Sequence, residues 1–270
     1  MSARYAVIGN PVAHSRSPWI HAQFAFATGH DLVYEAIEAP LDGFARTVSE
    51  FRAAGGRGAN VTLPFKEQAY VYCRATSERA KAARVVNTLV LDRGEPWGDN
   101  TDGVGLVRDL EVNLGVTLAD RRVLVLGAGG AAQGVLQPLQ AAGVAQLVVA
   151  NRTVDRAREL AARFPGVEAC GYPEIDARAF DLVLNATSAG LSGELPPLPA
   201  GAANTLFAPG ALAYDMVYGR DTPFLAYARN AGARTSDGAG MLVEQAAESF
   251  LIWRGVRPDT RAVLAALRAH

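Results

Sequence analysis

Short apolar runs alternate with amphipathic stretches along most of the chain, which is the pattern of strands alternating with helices. Strands are predicted at Arg4–Gly9, Leu32–Ile37 and Phe180–Leu184, of which the first and the last are expected to be buried. After the second of these strands, a helix is predicted at Asp42–Ala54, which carries apolar residues along one face. The alternation predicts an α/β fold with parallel sheets, in which ligands bind at the carboxyl ends of the strands.

The clearest single element is a strand, a glycine-rich turn and a helix within Arg121–Val135. The apolar run Val123–Leu126 breaks at Gly127, and the turn has the spacing G-x-G-x-x-A. In such a turn the first glycine bends the chain, the second lets the backbone approach a pyrophosphate, and the alanine lets the helix pack on the strand. Free N–H groups at the helix start would face the phosphates. The alternative is a glycine-rich turn in an ordinary βα unit.

The next predicted strand, Gln146–Ala150, distinguishes between the two nicotinamide cofactors. A cofactor with a free ribose 2′-hydroxyl is usually met here by Asp or Glu. The acid is missing, and Arg152 stands in its place with Arg156 one turn on. Guanidinium groups suit a phosphate, so we favour NADP(H) over NAD(H). The alternative is that both arginines are solvated surface charges.

Composition restricts the class of protein. The chain has 270 residues, 50% of them hydrophobic, and a formal net charge of −1, which favours two domains and gives no support for nucleic acid or a membrane surface as partner. No apolar run is long enough for a membrane span, and no signal peptide is visible. Cys73 and Cys170 have no metal or redox spacing, so we expect reduced thiols in a cytoplasmic protein and no bound metal.

Two hydroxyls stand at the start of the first predicted helix. Pro18 suits the first residue of a helix that runs to about Thr28, which makes Ser17 the expected N-cap. Ser15 is not needed for that cap. Two hydroxyls beside free helix N–H groups can also hold a carboxylate, although the residues alone favour capping.

Further polar residues gather at the carboxyl end of another predicted strand, which begins at Gly58. Asn60, Thr62 and Lys66 follow one another there, before a helix that Pro64 is expected to open. Lys66 is one of only two lysines among 26 basic residues, and lysine is the one that can readily give up its proton near neutral pH. Packing alone does not explain this set, so we expect a ligand site.

Three later positions add to this picture. Asn87 interrupts the apolar strand Val85–Val90, and a buried asparagine usually has a specific partner. Asp102 precedes the helix Gly103–Leu114, where capping is its simplest role. Gln245 lies beside the apolar stripe of the last helix, and the loop after Phe180–Leu184 is well placed to cover a nicotinamide.

Taken in order, these motifs resemble those of the shikimate dehydrogenases over nearly the whole chain. The matching segments are Ser15-x-Ser17-Pro18, Asn60–Lys66, Val86–Leu89, Asn100–Gly103 with Gly105, Gly127–Ala131, Asn151–Thr153, Asn185–Gly190, Met216–Tyr218, Asp237-Gly238 with Gly240–Leu242, and Gln245.

The resemblance implies two α/β domains: an N-terminal substrate domain over residues 1–101 and a Rossmann NADP-binding domain over 102–237, with C-terminal helices at 238–270 that return to the first domain. It implies reversible NADPH-dependent reduction of 3-dehydroshikimate to shikimate, a step toward chorismate and the aromatic amino acids. It leaves a monomer and a homodimer equally open.

The resemblance also implies roles for individual residues. Lys66 and Asp102 match the family's catalytic pair, with Lys66 as acid and base. The implied substrate-binding residues are Ser15, Ser17, Asn60, Thr62, Lys66, Asn87, Asp102, Tyr218 and Gln245. The implied cofactor-binding residues are Gly127, Ala128, Gly129, Gly130, Ala131, Asn151, Arg152, Thr153, Arg156, Thr187, Met216 and Gly238.

Three rival interpretations remain. A quinate/shikimate dehydrogenase that uses NAD is the nearest, and Ser15 and Arg152 argue against it. A non-catalytic NADP-binding regulator would be favoured by loss of Lys66 or Asp102, and both are present. A methylenetetrahydrofolate-type dehydrogenase would not explain the two serines or Gln245.

Overall fold

The computed structural model describes residues 2–175, 179–199 and 201–269. The chain forms two compact units, the first comprising the chain up to Gly105 together with the segment from Leu242 onward, and the second running from Leu106 to Met241. Both breaks fall inside continuous helices, Asp102–Arg108 and Ala239–Arg254. The predicted limits at residues 101 and 237 lie just before these helices begin, and they stay predictions.

Twelve strands and eleven α-helices follow one another along the described residues. In chain order they are β1 Ala3–Gly9, α1 Ser17–Thr28, β2 Leu32–Glu38, α2 Phe44–Ala53, β3 Gly56–Val61, α3 Lys66–Tyr72, β4 Ala75–Thr76, α4 Glu78–Ala83, β5 Thr88–Val90, β6 Trp97–Asp99, α5 Asp102–Arg108, β7 Arg122–Leu126, α6 Gly130–Ala141, β8 Gln146–Asn151, α7 Val154–Ala161, β9 Val167–Gly171, β10 Phe180–Asn185, α8 Ala203–Leu206, β11 Phe207–Asp215, α9 Pro223–Asn230, β12 Arg234–Ser236, α10 Ala239–Arg254 and α11 Arg261–Ala269.

The first unit contains a six-stranded sheet with the order β2-β1-β3-β5-β6-β4. β1 pairs in parallel with β2 and β3, as the alternation of strands and helices predicts. β5 runs antiparallel to both β3 and β6, so the sheet is mixed. The reason is that only a short loop joins β5 to β6, and a short loop can connect only antiparallel neighbours.

Apolar side chains cover both faces of this first sheet. Ile8, Phe44 and Phe65 belong to a buried cluster beneath α2 and α3. On the other face, Trp253 from α10 stacks on Tyr5 with ring centroids 4.7 Å apart, and its indole N–H donates to the Leu89 carbonyl at 2.9 Å. The C-terminal helix α10 is therefore part of the core of the first unit.

Charged side chains hold α10 in place as well. Arg79 on α4 makes two hydrogen bonds of 2.7 Å to the buried carboxylate of Asp99 and a third of 3.0 Å to Glu248 on α10. Arg257 also pairs with Glu248. Pairs of low exposure that are doubly hydrogen-bonded fix geometry better than surface ion pairs do.

The second unit contains a six-stranded sheet with the order β12-β11-β10-β7-β8-β9, in which every pair of neighbours is parallel. Its central strands β7, β8 and β10 are buried on both faces, which explains their continuous apolar runs. The predicted helix Gly103–Leu114 is α-helical only to Arg108 and continues as a π-helical turn, Asp109–Asn113. Within the described ranges, no helix has the length and apolar character to cross a membrane.

Candidate active site

Lys66 and Asp102 form an ion pair in the first unit. Lys66 is the first residue of α3, Asp102 is the first residue of α5, and Lys66 Nζ lies 2.5 Å from Asp102 Oδ2. The two side chains are 15% and 8% exposed, so the pair is largely removed from water but still open at one side. Charge interactions are strong in such surroundings, which suits a group that must hold and release a proton.

Asn87 occupies the second oxygen of the same carboxylate. It is buried immediately before β5, and its Nδ2 donates to Asp102 Oδ1 at 2.8 Å. Its own Oδ1 accepts from the backbone N–H of Thr101 at 2.8 Å. The expectation that Asn87 has specific partners is confirmed, and the result is that both oxygens of Asp102 are held.

Gln245 joins this group from α10. Its Oε1 lies 3.3 Å from Asn87 Nδ2, and its Nε2 donates to the Leu242 carbonyl at 2.8 Å. The close approach of α10 to α5 requires a glycine at position 105, because a Cβ there would lie 2.6 Å from the Gln245 backbone nitrogen. The matching glycine of the sequence motif therefore has a structural explanation.

A buried polar cluster lies behind these side chains, and sequence reasoning did not find all of it. Thr88, Thr101 and Ser249 are fully buried and linked by hydrogen bonds. Asn60 Nδ2 donates into this cluster, with its shortest contact of 2.9 Å to Ser249 Oγ. Ser249 follows Gln245 by four residues, so the two lie on the same face of α10. This spacing in the sequence could have identified Ser249 as part of the cluster.

The two serines at the start of α1 differ from the sequence expectation. The prediction that Ser17 is the N-cap is wrong, because the helix begins at Ser17 and Arg16 holds the cap position. Ser15 Oγ instead accepts the Ser17 backbone N–H at 3.3 Å. The Ser17 side chain is buried, and it lies beside the Tyr34 hydroxyl. The helix that Pro64 was expected to open likewise begins later, at Lys66.

Thr62 lies at the carboxyl end of β3, where the sequence placed it. It is half-buried, and its backbone N–H donates to the Ile8 carbonyl at 3.0 Å. Tyr218 differs from the other predicted substrate-binding residues because it belongs to the second unit, where it is half-buried just beyond β11.

The glycine turn of the second unit has the geometry of a phosphate-binding loop. Gly127 has a φ of +103°, and a Cβ there would lie 3.1 Å from Thr187 Cγ2 and 3.2 Å from the Ala186 carbonyl oxygen. A Cβ on Gly129 would meet nothing within 4 Å, so space is open directly before α6 begins at Gly130. Ala132 is fully buried against the sheet, as predicted. The open N-terminus of α6 can therefore hold an anion.

Exposed cations lie at the carboxyl end of the neighbouring strand β8. Arg152 and Arg156 are both exposed, and neither forms an ion pair within the part of the chain that the structure describes. Asn151 Nδ2 donates to the Thr153 carbonyl at 2.8 Å and holds this turn. Arg152 is near Tyr172, whose pKa burial raises to about 12 while the guanidinium opposes that rise. The turn thus presents positive charge and no carboxylate.

Two further loops of the second unit are fixed by a buried carboxylate. Asp215, at the end of β11, accepts from Asn185 Nδ2 at 3.0 Å and from Thr222 Oγ1 at 2.6 Å. Asn185 Oδ1 in turn accepts from Thr187 Oγ1 at 2.7 Å. Burial raises the pKa of Asp215, and its three hydrogen bonds oppose that rise. Sequence reasoning did not assign a role to Asp215.

The last two predicted cofactor residues lie side by side. A Cβ on Gly238 would lie 2.4 Å from the Met216 carbonyl oxygen, so the two backbones touch. The second unit therefore offers an open helix N-terminus, two exposed guanidinium groups and ordered loops at the same edge of its sheet. These features fit a dinucleotide that carries a 2′-phosphate.

Comparison with known proteins agrees with this description. Three family descriptions match in order: the shikimate dehydrogenase substrate binding domain over residues 7–89, shikimate/quinate 5-dehydrogenase over 110–192, and the shikimate 5′-dehydrogenase C-terminal domain over 238–268. The chain belongs to the shikimate dehydrogenase family.

Individual relatives and solved structures are similar over nearly their full length. The NADP(+) shikimate dehydrogenase of Aromatoleum aromaticum is 59% identical, covering 98% of this chain and 96% of that protein. An Ael1 enzyme from Pseudomonas putida is 49% identical with a TM-score of 0.91, and each chain is 98% covered. Shikimate 5-dehydrogenase from Thermus thermophilus, in complex with NADP(H) and shikimate, is 38% identical with a TM-score of 0.88 and 99% coverage of both chains.

Proposed function

We propose that this enzyme catalyses the reversible, NADPH-dependent reduction of 3-dehydroshikimate to shikimate. The observation that carries the proposal is the ion pair of 2.5 Å between Lys66 and Asp102, which lies beside Asn87 and Gln245 in the unit that matches the substrate-binding family description. The names of its relatives support the same reaction.

The ion pair suits the proton transfer that this reaction needs. Held by the second unit, NADPH would supply the hydride that reduces the substrate's carbonyl carbon. Negative charge then develops on the carbonyl oxygen, which requires a cation beside it and finally a proton. Lys66 Nζ supplies both, and in the oxidative direction it takes up the hydroxyl proton. Asp102 orients the amine and accepts a hydrogen bond from the reacting hydroxyl.

The remaining polar side chains bind the rest of the substrate. The hydroxyls of Ser15, Ser17 and Thr62 are suited to hold its carboxylate. Asn60, Asn87 and Gln245 hold the ring hydroxyls or frame the site. A ring that carries three oxygen substituents and a carboxylate needs this many donors and acceptors, because each one left unpaired would weaken binding.

The cofactor is held by the second unit. Gly127, Ala128, Gly129, Gly130 and Ala131 surround its pyrophosphate at the start of α6. Arg152 and Arg156, with Asn151 and Thr153, bind the 2′-phosphate, and Thr187, Met216 and Gly238 line the nicotinamide. Cys73 and Cys170 are not joined in a disulfide, which supports a reducing compartment such as the cytoplasm.

The experiment follows reduction of NADP+ and NAD+ by absorbance, with shikimate and quinate in parallel. We expect turnover with shikimate and NADP+ to exceed the other three combinations. Turnover of quinate with NAD+ would favour the quinate/shikimate dehydrogenase, because one matching family description names both substrates. Binding of NADPH without turnover would favour a regulator.

Arg152→Ala tests the 2′-phosphate site within the same assay. The variant should lose on the order of tenfold in preference for NADP+ over NAD+, since charged hydrogen bonds contribute about 1.5–3 kcal/mol. Arg158→Ala is the matched control, because Arg158 is an exposed arginine of α7 that pairs with Asp155. An unchanged preference in Arg152→Ala would make Arg152 a surface charge only.

A further inference from the structure

Tyr34 on β2 makes contacts that the proposed reaction does not use. Its ring stacks on His21 with centroids 4.2 Å apart and planes within 6° of parallel. His21 is fully buried, and that burial lowers its pKa to about 3, so the stack is between two neutral rings. The Tyr34 hydroxyl lies beside Ser17, and it donates to Asn60 Oδ1 at 2.8 Å.

This hydrogen bond fixes which way the Asn60 amide points. An asparagine side chain has an accepting oxygen and a donating nitrogen, and its partners decide which atom faces which side. Since Tyr34 occupies Oδ1, Asn60 Nδ2 must face the opposite way. There it meets three acceptors: the Asn87 carbonyl at 3.1 Å, Thr88 Oγ1 at 3.1 Å and Ser249 Oγ at 2.9 Å.

The orientation of the Asn60 amide in turn affects that of Asn87. Thr88 Oγ1 accepts from Asn60 Nδ2, which leaves its own proton for Asn87 Oδ1 at 2.9 Å. With Oδ1 occupied, Asn87 Nδ2 faces Asp102 Oδ1 at 2.8 Å. All four bonds therefore run in one direction, from the Tyr34 hydroxyl through two amides and one hydroxyl to the carboxylate.

We propose that Tyr34 is a positioning residue: together with the Asn87 backbone carbonyl and the Thr101 backbone N–H, its hydroxyl holds both amides in one orientation and thereby holds the Asp102 carboxylate in the orientation that engages Lys66. The proposal rests on the proposed function of that pair. It also assigns Asn60 to positioning, because the protein itself occupies both the oxygen and the nitrogen of its amide.

The opposite orientation is unfavourable for a clear reason. A reversed Asn87 would set its Oδ1 against Asp102 Oδ1, so that two acceptors would face each other without a proton between them. A buried pair of acceptors that lack a donor destabilises the arrangement, because neither oxygen regains the hydrogen bonds that it gave up with water. Without the Tyr34 hydroxyl, Asn60 Oδ1 loses this donor, and the acceptors around its Nδ2, the Asn87 carbonyl among them, are left to hold it. Asn87 keeps the Thr101 backbone N–H on its Oδ1, so the loss of the Tyr34 hydroxyl loosens the chain of bonds and does not reverse it.

Single-atom changes test the chain of bonds. Tyr34→Phe removes the hydroxyl and keeps the ring on His21, while Thr88→Val removes the linking hydroxyl and keeps the side-chain shape. Each should lower kcat with shikimate and NADP+ on the order of tenfold, and KM for shikimate should change less. Thr88→Ser restores the hydroxyl and should restore kcat to within about twofold of the original enzyme.

Two comparisons separate positioning from general loss of structure. Tyr72→Phe is the matched control, because the Tyr72 hydroxyl hydrogen-bonds the exposed Ser49 hydroxyl at 3.2 Å and lies outside the chain of bonds. It should retain full kcat. The double variant Tyr34→Phe/Thr88→Val should be no slower than the slower single variant, since one break already interrupts the same path.

Full kcat in Tyr34→Phe, or a Thr88→Ser variant as slow as Thr88→Val, would overturn the proposal. Multiplying losses in the double variant would also overturn it. Side-chain amide NMR resonances of Asn87 give a readout without turnover: they should shift in Tyr34→Phe and Thr88→Val and stay unchanged in Tyr72→Phe. An original enzyme without turnover would refute the proposed function, and these resonances would then still decide the positioning role.

Discussion

The two units recognise their ligands by opposite means. The site of the first unit consists of buried side chains that hydrogen-bond one another, with Lys66 and Asp102 at its open side. The site of the second unit consists of backbone shape, a helix N-terminus and exposed arginines. The difference follows from the chemistry at each site, because proton transfer needs atoms held in one orientation, whereas a phosphate needs only N–H groups and positive charge.

The surroundings of the two sites should make them respond differently to conditions. Salt screens exposed charges over about 8–10 Å and acts much less on buried pairs. Affinity for the cofactor's 2′-phosphate should therefore depend on ionic strength more than the Lys66–Asp102 pair does. Lys66→Ala and Gly127→Ala each disable the site of one unit and leave the site of the other in place.

The largest effect is expected from Lys66→Ala. It removes the proton carrier and the cation beside the reacting oxygen, so kcat should fall about 10³-fold while KM for shikimate changes little. Lys81→Ala is the matched control, because Lys81 is the other lysine of the chain and is exposed on α4. Steady-state kinetics of both variants decide the point. A Lys66→Ala enzyme that kept its kcat but bound shikimate poorly would contradict the acid/base role.

Gly127→Ala tests whether the backbone shape of the glycine turn in the second unit is needed for cofactor binding. The φ of +103° and the contact of 3.1 Å with Thr187 Cγ2 leave no room for a Cβ. Strain of this kind costs about 1–3 kcal/mol, and the displaced turn should weaken NADPH binding by up to about a hundredfold. Titration of NADPH fluorescence measures this, and shikimate binding should be unchanged.

Gly143→Ala separates strain from displacement of the turn. Gly143 also has a positive φ, +79°, but a Cβ there would have no neighbour closer than 3.9 Å. We expect this variant to lose stability and to keep its NADPH affinity. Equal loss of affinity in both variants would mean that the glycine turn has no special place in cofactor binding.

A smaller effect, on folding stability, is expected when the pH is lowered, because His21 is buried in the first unit. Burial lowers the pKa of His21 to about 3 from 6.5, so between these values the unfolded chain binds a proton that the folded chain does not. Folding stability must therefore fall as pH falls through this window. At pH 5 the loss is about 2 kcal/mol.

His21→Gln should remove that part of the acid sensitivity, and His14→Gln, a change at an exposed loop histidine, should not. Denaturant unfolding at pH 7 and pH 5 measures the difference. A His21→Gln variant whose stability still fell as steeply as that of the original protein would show that His21 is not the group responsible.

Features encoded within a few neighbouring residues were predictable from the sequence. The glycine turn at Gly127, the missing acid after β8 and the pattern of parallel strands in the second unit are all local. So was the specific partnering of Asn87, because a polar residue in an apolar run is conspicuous. Residue spacing carries these signals without any knowledge of the tertiary fold.

The buried polar cluster was less predictable because its members meet only in the folded chain. Asn60 and Ser249 are 189 residues apart in sequence, and Asn60 and Tyr34 are 26 apart. Ser17 was misassigned as well: a hydroxyl near a helix start looks like a cap, but the helix begins at Ser17 itself and the fold buries its side chain. The substrate-binding roles of Ser15 and Ser17 and the catalytic role of Lys66 were implied by the family resemblance.

The course of the chain through α5 and α10 has a consequence for the order of synthesis. The second unit is one uninterrupted segment, Leu106–Met241, whereas the first is divided around it. A nascent chain that has emerged only to Gly105 lacks Gln245, Ser249 and Trp253, and so has neither the polar cluster nor the cover on that face of its first sheet. The part made first is therefore completed last, because that face of its sheet stays uncovered until α10 has been made and has packed on it.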